Sequence, residues 1–445
     1  MKRWIEDGLF RAVMRNAGYL ASGKAAGAVL GLVALACSGR GLTPALFGTL
    51  MIIHTYANGV GALAKFQTWQ FIIRSGTPAL LRGDMRVACD TVRFSTGLDL
   101  TSGLIGMVSA MLLLPVMARW LGLPQVALLP ALLYCTLVPT MTAATPTGTL
   151  RMLDRFDLIA SQQVVTPALR AAGALLSYLT HAGFGAFVAT WYVADLAGDL
   201  VLWALAAREL RRRDMLSAFR PGLFGVARRL PGAWGFVWTT NVAHSIYAAW
   251  GPLSNLVVAS VLGPAAAGLF KIAATLVDST TKPADLLSRG FYPEIMRLDP
   301  SSREPWRLGL RLGLLSACIG LGLVLVIMLG GGPVIGALFG HRYVAAAGLL
   351  QIMAWTVAIS TAAFPLESLL YMIGRQKAAL AAQACATLAY LPLLDWLTRR
   401  DGLSGAGYAV LIGTALNASF MLLPTLQSYH RRGAPQLQSP SGLTV

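Results

Sequence analysis

The sequence predicts an all-α integral membrane protein of about twelve transmembrane helices, arranged as two pseudo-symmetric six-helix lobes around a central cavity. Three observations lead there. Hydrophobic residues make up 56% of the chain and charged residues only 12%, with a mean hydropathy of +0.62, whereas soluble domains carry about 25% charged residues. Apolar stretches of roughly twenty residues recur from end to end, the length a helix needs to cross about 30 Å of hydrocarbon at about 1.5 Å per residue. The third is an internal repeat, in which residues of the first half recur 220 positions later.

Gly, Pro and charged residues punctuate the apolar runs and place helices at 17–38, 44–65, 94–118, 124–147, 156–180, 184–207, 235–258, 264–286, 309–330, 343–366, 377–398 and 404–428. The first run, Ala17 to Ser38, is long enough to span and lacks a small-residue cleavage site, so it is expected to be a span and not a leader. Lys2, Arg3, Arg11 and Arg15 precede it and alternate with Trp4, Ile5, Leu9, Phe10 and Val13, the pattern of a helix lying in the headgroup plane. Arg74, Arg82 and Arg86 follow the second helix, and Arg151 and Arg155 follow the fourth. The sixth connection holds Arg208, Arg211, Arg212, Arg213, Arg220, Arg228 and Arg229; the eighth holds Arg289, Arg297, Arg303 and Arg307. Basic residues collect on the cytoplasmic side, so these segments and both termini are expected there, in a multi-pass protein of the bacterial inner membrane. Arg399 and Arg400, beside Asp401, are the exception on the outer side. The net charge of +17 is thereby assigned to contact with anionic membrane lipids, and no nucleic-acid partner is expected. Residues 208–231, with Met215, Leu216, Phe219 and Phe224 between arginines, are expected to link the halves along the inner surface.

In the repeat, Leu42, Pro44, Ala45 and Gly48 map onto Leu262, Pro264, Ala265 and Gly268, and Ile52 and Thr55 onto Ile272 and Thr275. Leu150, Met152, Arg155 and Gln163 map onto Leu370, Met372, Arg375 and Gln383; Gly185, Ala186, Ala189 and Leu196 map onto Gly405, Ala406, Ala409 and Leu416. An even number of spans per copy gives both the same orientation, related by an axis along the membrane normal. The expected organisation is residues 1–220 as the first lobe with its interfacial helix, 221–430 as the second, and 431–445 as a disordered cytoplasmic tail.

Several short segments, specific together by their order and spacing, are distributed along essentially the whole chain. They are Asn16 to Leu20, Arg40-Gly41-Leu42-Thr43-Pro44 with Phe47-Gly48, Phe66-Gln67-Thr68-Trp69-Gln70, Arg155-Phe156-Asp157, Tyr292-Pro293-Glu294, and Leu338-Phe339-Gly340 with Tyr343. In these the chain resembles the polysaccharide-exporter (Wzx-like) branch of the multidrug, oligosaccharidyl-lipid and polysaccharide flippase superfamily. The resemblance implies a MATE-like fold, alternating access, and an undecaprenyl-pyrophosphate-linked oligosaccharide as substrate, for exopolysaccharide, capsule or O-antigen synthesis alongside a polysaccharide polymerase. A lipid II flippase of the superfamily usually has about two more helices than this chain.

Charges inside the predicted spans mark the candidate site, because each costs about 2.5–3.5 kcal/mol near mid-bilayer unless it faces water or a partner. Lys24, Arg170 and Lys271 are the candidate cations for a diphosphate, which charge-assisted contacts hold most strongly. Pairing of Arg170 with Asp195 or Asp199, which would merely tie the fifth and sixth helices together, is the competing reading; snorkelling to an interface is that for the lysines. Asp99, Asp195, Asp199 and Asp278, with Asn58, His54, His244 and Asn241, are candidates for ion coupling or cavity lining. Lys24 maps onto His244 and Asn58 onto Asp278 in the repeat.

Gly18 to Ala25 nearly spells a phosphate-binding loop, but Ala25 replaces the Ser or Thr that holds magnesium and no strand precedes it. Gly23, Gly27 and Gly31 are instead expected to let a neighbouring helix approach. Cys37, Cys89, Cys135, Cys318 and Cys385 lack metal-ligand spacing and are expected to be small core residues. No metal, cofactor or catalytic residue is expected, and the chain is read as a transporter and not an enzyme. Two alternatives stand beside the flippase: a cation-coupled multidrug exporter, favoured by an acidic cleft, and an integral-membrane polysaccharide-modifying enzyme, favoured by a large outer loop.

Overall fold

A computed structural model describes residues 8–142, 144–295 and 302–430. These residues form helices, turns and bends. We number the long helices α1 (Gly8–Gly41), α2 (Pro44–Ala64), α3 (Met85–Trp120), α4 (a broken run over 125–152), α5 (Phe156–Leu179) and α6 (Phe184–Arg211) in the first half. The run Ala233–Ile295 is broken at Gly263, whose φ of 82° no helix accommodates, giving α7 (233–262) and α8 (264–295). α9 (Glu304–Phe339) and α10 (Ala346–Met372) follow. Gln376–His430 is broken at Gly402 (φ 64°) into α11 (376–401) and α12 (403–430).

Large apolar side chains stand exposed along outward faces, among them Leu112 (73%) on α3 and Leu329 (74%) on α9. Rows of such residues are intolerable in water and are what hydrocarbon requires. The main core lies between halves, where Phe47, Leu50 and Ile53 of α2 join a cluster with Ile272 and Ala273 of α8 and Val357 of α10. Repeat-related residues meet there: a Cβ on Gly268 would lie 3.1 Å from Gly48 Cα, and one on Gly48 would strike the Pro264 carbonyl. Only paired glycines allow the first turns of α2 and α8 to cross so closely. Nearby, Thr43 caps α2, Arg40 donates to the Leu338 carbonyl (2.9 Å) and the Ala337 carbonyl, and Tyr343 donates to the Leu42 carbonyl (3.3 Å). The Arg40 guanidinium thus satisfies bare carbonyls at the C-terminus of α9, where the helix dipole favours a cation. Gly23 and Gly27 admit α5 as expected, against Ala160 and Gln163; Gly31 touches nothing within 4 Å.

Some boundaries differ from the hydropathy reading. α3 starts at Met85 and not at 94, because Asp84 caps it (Val87 N donating, 3.1 Å) and Ala88 and Val92 bury a face against Leu210 and Met215. The linker packs against this extension: Arg229 bonds Asp90 at 2.7 and 3.0 Å, and the Gly222 amide donates to the Arg93 carbonyl. α9 is longer than 309–330, and residues 8–16 continue α1 as one helix, with no break before the span. Residues 1–7, the side chains through residue 17, those of Tyr292-Pro293-Glu294, and the tail 431–445 lie outside the described residues. The cysteines are free, but only Cys135 is buried; Cys318 and Cys385 are exposed, correcting their assignment to the core. Of the outer arginines, Arg399 pairs with Asp395 at 2.8 Å and Arg400 lies 3.8 Å from Asp401.

At the other end Arg155 ties α5 to α6. It forms a bidentate pair with Asp157 (3.0 and 2.8 Å) and lies 2.6 Å from buried Glu209, which also accepts from Arg212 at 3.0 Å. Hydrogen bonds from Arg155 hold the Asp157 carboxyl below the usual carboxylate range. Stability from a depressed carboxyl pKa is present above the unfolded value of about 3.9 and is lost as pH falls through the folded one. Arg155→Ala is expected to lower stability by about 1–3 kcal/mol at neutral pH, mainly through the lost partner of buried Glu209, since the pair with half-exposed Asp157 is screened by solvent. It is also expected to flatten the loss of stability below about pH 4. Apparent melting temperature of detergent-purified protein from pH 3 to 7 reads both effects, and superimposable curves for variant and wild type would contradict the assignment.

Candidate functional site

Polar side chains converge where α2, α4, α5 and α6 face α8. His54 points from α2, and the amide of Asn58, one turn on, bonds back to the His54 carbonyl (2.8 Å). Arg170 of α5 pairs with Asp195 of α6 and places Nη2 2.9 Å from His54 Nε2. Its guanidinium also lies over the Trp191 ring, 4.5 Å from the centroid. Tyr134 of α4 donates to the second Asp195 oxygen, which lies 3.8 Å from His54 Nε2. Trp191 in turn donates to Ser38 Oγ of α1 at 3.2 Å. Asp195 is 6% exposed and Arg170 20%, so charge and ring are fixed by partners from five helices. From α8, Lys271 acts electrostatically on both His54 and Arg170. Lys271 makes no hydrogen bond or contact ion pair among the described residues; its acidic neighbour is Asp278, two turns along the same helix.

A second polar layer lies toward the end of α2 and is built on the break in α4. The amides of Ala144 and Thr145, at the start of the last piece of α4, both donate to Asp99 Oδ2 at 2.7 Å. Thr145 and Thr68 add hydroxyl bonds at 2.7 and 2.9 Å. A carboxylate at a helix N-terminus with this many donors is a cap. Lys65 approaches the same break from the other side and donates to the Met141 carbonyl at 3.3 Å. It acts electrostatically on Asp99, Asp199 and His244. Thr140 bonds Asp199, whose Oδ2 is buried without a hydrogen-bond partner. Asn241 of α7 donates to the Lys65 carbonyl (3.2 Å) and accepts from Ser245.

The structure therefore brings together Arg170, Lys271, His54 and Asp195 in one layer and Asp199, Asn241 and His244 in the next. It does not bring in Lys24, which is exposed on α1 about 21 Å along the axis from Ser38. Gly23, the neighbour of Lys24, packs against the Ala160 backbone of α5. Asp99 is likewise outside the Arg170 layer, its oxygens accepting from Ala144, Thr145 and Thr68 at the α4 break. Pairing of Arg170 with Asp195, the competing reading, is what the structure contains. The lining is mixed in sign, not net basic. Lys65 was missed, because a lysine closing an apolar run looks like an interface marker; Tyr134 and Trp191 looked like ordinary span residues. In the repeat, Arg170 corresponds to Tyr390, which stacks on Trp250 (4.0 Å between centroids) and bonds Ser254, so Arg170, paired with Asp195, has no charged counterpart at that position of the second half.

Comparison with known proteins bears on this arrangement. A family model described as a polysaccharide biosynthesis protein matches residues 40–348. Inner membrane protein YghQ of Escherichia coli (strain K12) is 48% identical over 350 residues, covering 79% of this chain and 99% of that protein. Among solved structures, the fold is similar to an inward-facing multidrug resistance MATE family transporter of the MOP superfamily (TM-score 0.72, 15% identity, 93% of this chain and 96% of that one). It is also similar to the lipid II flippase MurJ in an inward closed conformation (TM-score 0.66, 12% identity, 91% and 88%).

Proposed function

Because the chain belongs to the polysaccharide biosynthesis protein family, we propose that it is an inner-membrane flippase for a polyprenyl-pyrophosphate-linked oligosaccharide, working by alternating access and catalysing no covalent step. The observation that carries the reading is Lys271, a cation inside a span, turned toward the Arg170 cluster of the other half and without a contact carboxylate among the described residues. An ammonium held there costs several kcal/mol unless an anion joins it. A pyrophosphate supplies that anion, and charge-assisted bonds to its oxygens offset the loss of water. Arg170, already oriented by Asp195, His54 and Trp191, presents its remaining donors to the same anion. Both termini lie on the cytoplasmic side, where the substrate is made, and the released product passes to polymerisation into exopolysaccharide, capsule or O-antigen. The substrate class is tested by deleting the gene and extracting polyprenyl-linked glycans: the intermediate is expected to accumulate several-fold on the inner leaflet, and an unchanged pool removes this reading.

Asp199 favours a second reading, an ion-coupled exporter, since a buried carboxylate oxygen without a partner is a protonation or cation site. On that reading wild-type protein in liposomes extrudes ethidium under an imposed pH gradient and Asp199→Asn does not. Absence of ethidium efflux by the wild type excludes it.

A further inference from the structure

A groove of about 670 Å³ runs along α9, α10 and α12, on the second half and away from the polar cluster. Its mouth holds Arg303, Trp306 and Arg307 at the start of α9 and Tyr429 at the end of α12; its length follows Gly309, Gly313 and Ala317. From Arg303 to Ala317 is about 21 Å of helix, the depth of one leaflet of a bilayer about 40–45 Å thick. The walls are otherwise almost wholly apolar. Arg303 and Arg307 are one turn apart and exposed, and their side chains have no hydrogen bond or ion pair among the described residues. The helix dipole at the start of α9 adds positive potential against the single negative charge of Glu304, so the mouth stays net positive, and Trp306 and Tyr429 meet edge to face, 5.4 Å between centroids, at interfacial depth.

We propose that this groove is a binding site for an anionic phospholipid of the cytoplasmic leaflet, its phosphate held between Arg303 and Arg307 and one acyl chain lying along Gly309, Gly313 and Ala317. Two guanidiniums without a partner among the described residues select an anionic over a zwitterionic headgroup. The one-leaflet length and absence of α2, α5 and α6 from the walls separate the site from the translocation pathway, so a membrane lipid fits it and the flipped substrate does not. Bound there, the lipid bridges α9 to α10 and α12 and stiffens the second half.

The test uses the full-length protein, delipidated in detergent and incubated with dioleoylphosphatidylglycerol or dioleoylphosphatidylcholine, with retained lipid counted by mass spectrometry. Wild type is expected to retain phosphatidylglycerol at least ten-fold better than phosphatidylcholine. The Arg303→Gln/Arg307→Gln double variant is expected to lose that preference while remaining monodisperse, since both side chains are exposed. Ala317→Trp, or Ala317→Leu if the larger residue impairs folding, fills the groove and lowers retention of both lipids. Equal retention of the two lipids by wild type, an unchanged preference in the double variant, or full retention in the Ala317 variant would overturn the proposal. Displacement of phosphatidylglycerol by equimolar undecaprenyl phosphate would also overturn it, by assigning the groove to the substrate lipid. These readouts do not depend on transport, so failure of the flippase reading leaves them intact.

Discussion

Lys271→Ala is expected to slow delivery of lipid-linked glycan to the outer leaflet by about ten- to a hundred-fold, the equivalent of one charge-assisted contact of about 1.5–3 kcal/mol, while membrane abundance of the protein stays at the wild-type level. The contrast follows from its surroundings. Lys271 forms no hydrogen bond or contact ion pair among the described residues, so its removal breaks nothing that holds helices together and relieves the cost of an ammonium in a span. Only the step in which an anion joins it is affected. Lys271→Arg, which keeps the charge, is expected to recover most of the rate, and Lys271→Gln none. Polymer output in a deletion strain complemented with each variant, normalised to protein detected in membranes, reads the effect; full output from Lys271→Ala would refute the role.

Asp195→Ala is expected to produce the largest loss of stability of any single substitution in the polar cluster, about 3–5 kcal/mol. It strips Arg170 of its carboxylate and Tyr134 of its acceptor at a site where Asp195 is only 6% exposed. A guanidinium left in that position keeps Trp191 and His54 but no counter-charge. Removing both charges, in Asp195→Ala/Arg170→Ala, is expected to restore most of the stability, since the penalty belongs to the unpaired ion and not to the missing pair. Heat-induced loss of monodisperse protein in detergent measures the cycle. Additive losses in the double variant would mean that the two side chains act separately.

Helix count and approximate placement were legible in the sequence because they depend on one property, the length of apolar runs. Even the breaks at Gly263 and Gly402 fell where the repeat and glycine punctuation put them. What escaped depends on directions that hydropathy does not carry. α3 begins nine residues early because its first turns bury one face under the linker, and an amphipathic turn scores as polar. The interruption of α4 by capping groups, Asp99 on one side and Lys65 on the other, needs residues from α2 and α3 that are far away in sequence. For the site, depth in the span raised Arg170, Asp195 and Lys271, which the structure places in one layer. It raised Lys24 equally, because depth in a span says nothing about which neighbours a side chain meets.

The touching glycines of α2 and α8 have a mechanical consequence. Gly48 and Gly268 are equivalent positions of the two copies, so their contact marks the point through which an axis relating the halves must pass. A crossing of backbone on backbone, with only the Phe47 ring beside it, has few side chains to unlock and resists rotation weakly. If the halves rock as the proposed alternating access requires, this contact would serve as their pivot. The farther a residue lies from that fulcrum, the greater its travel: the Arg40 strap beside it would shift little, whereas Lys65, just past the end of α2 and about five turns from Gly48, would swing through a wide arc.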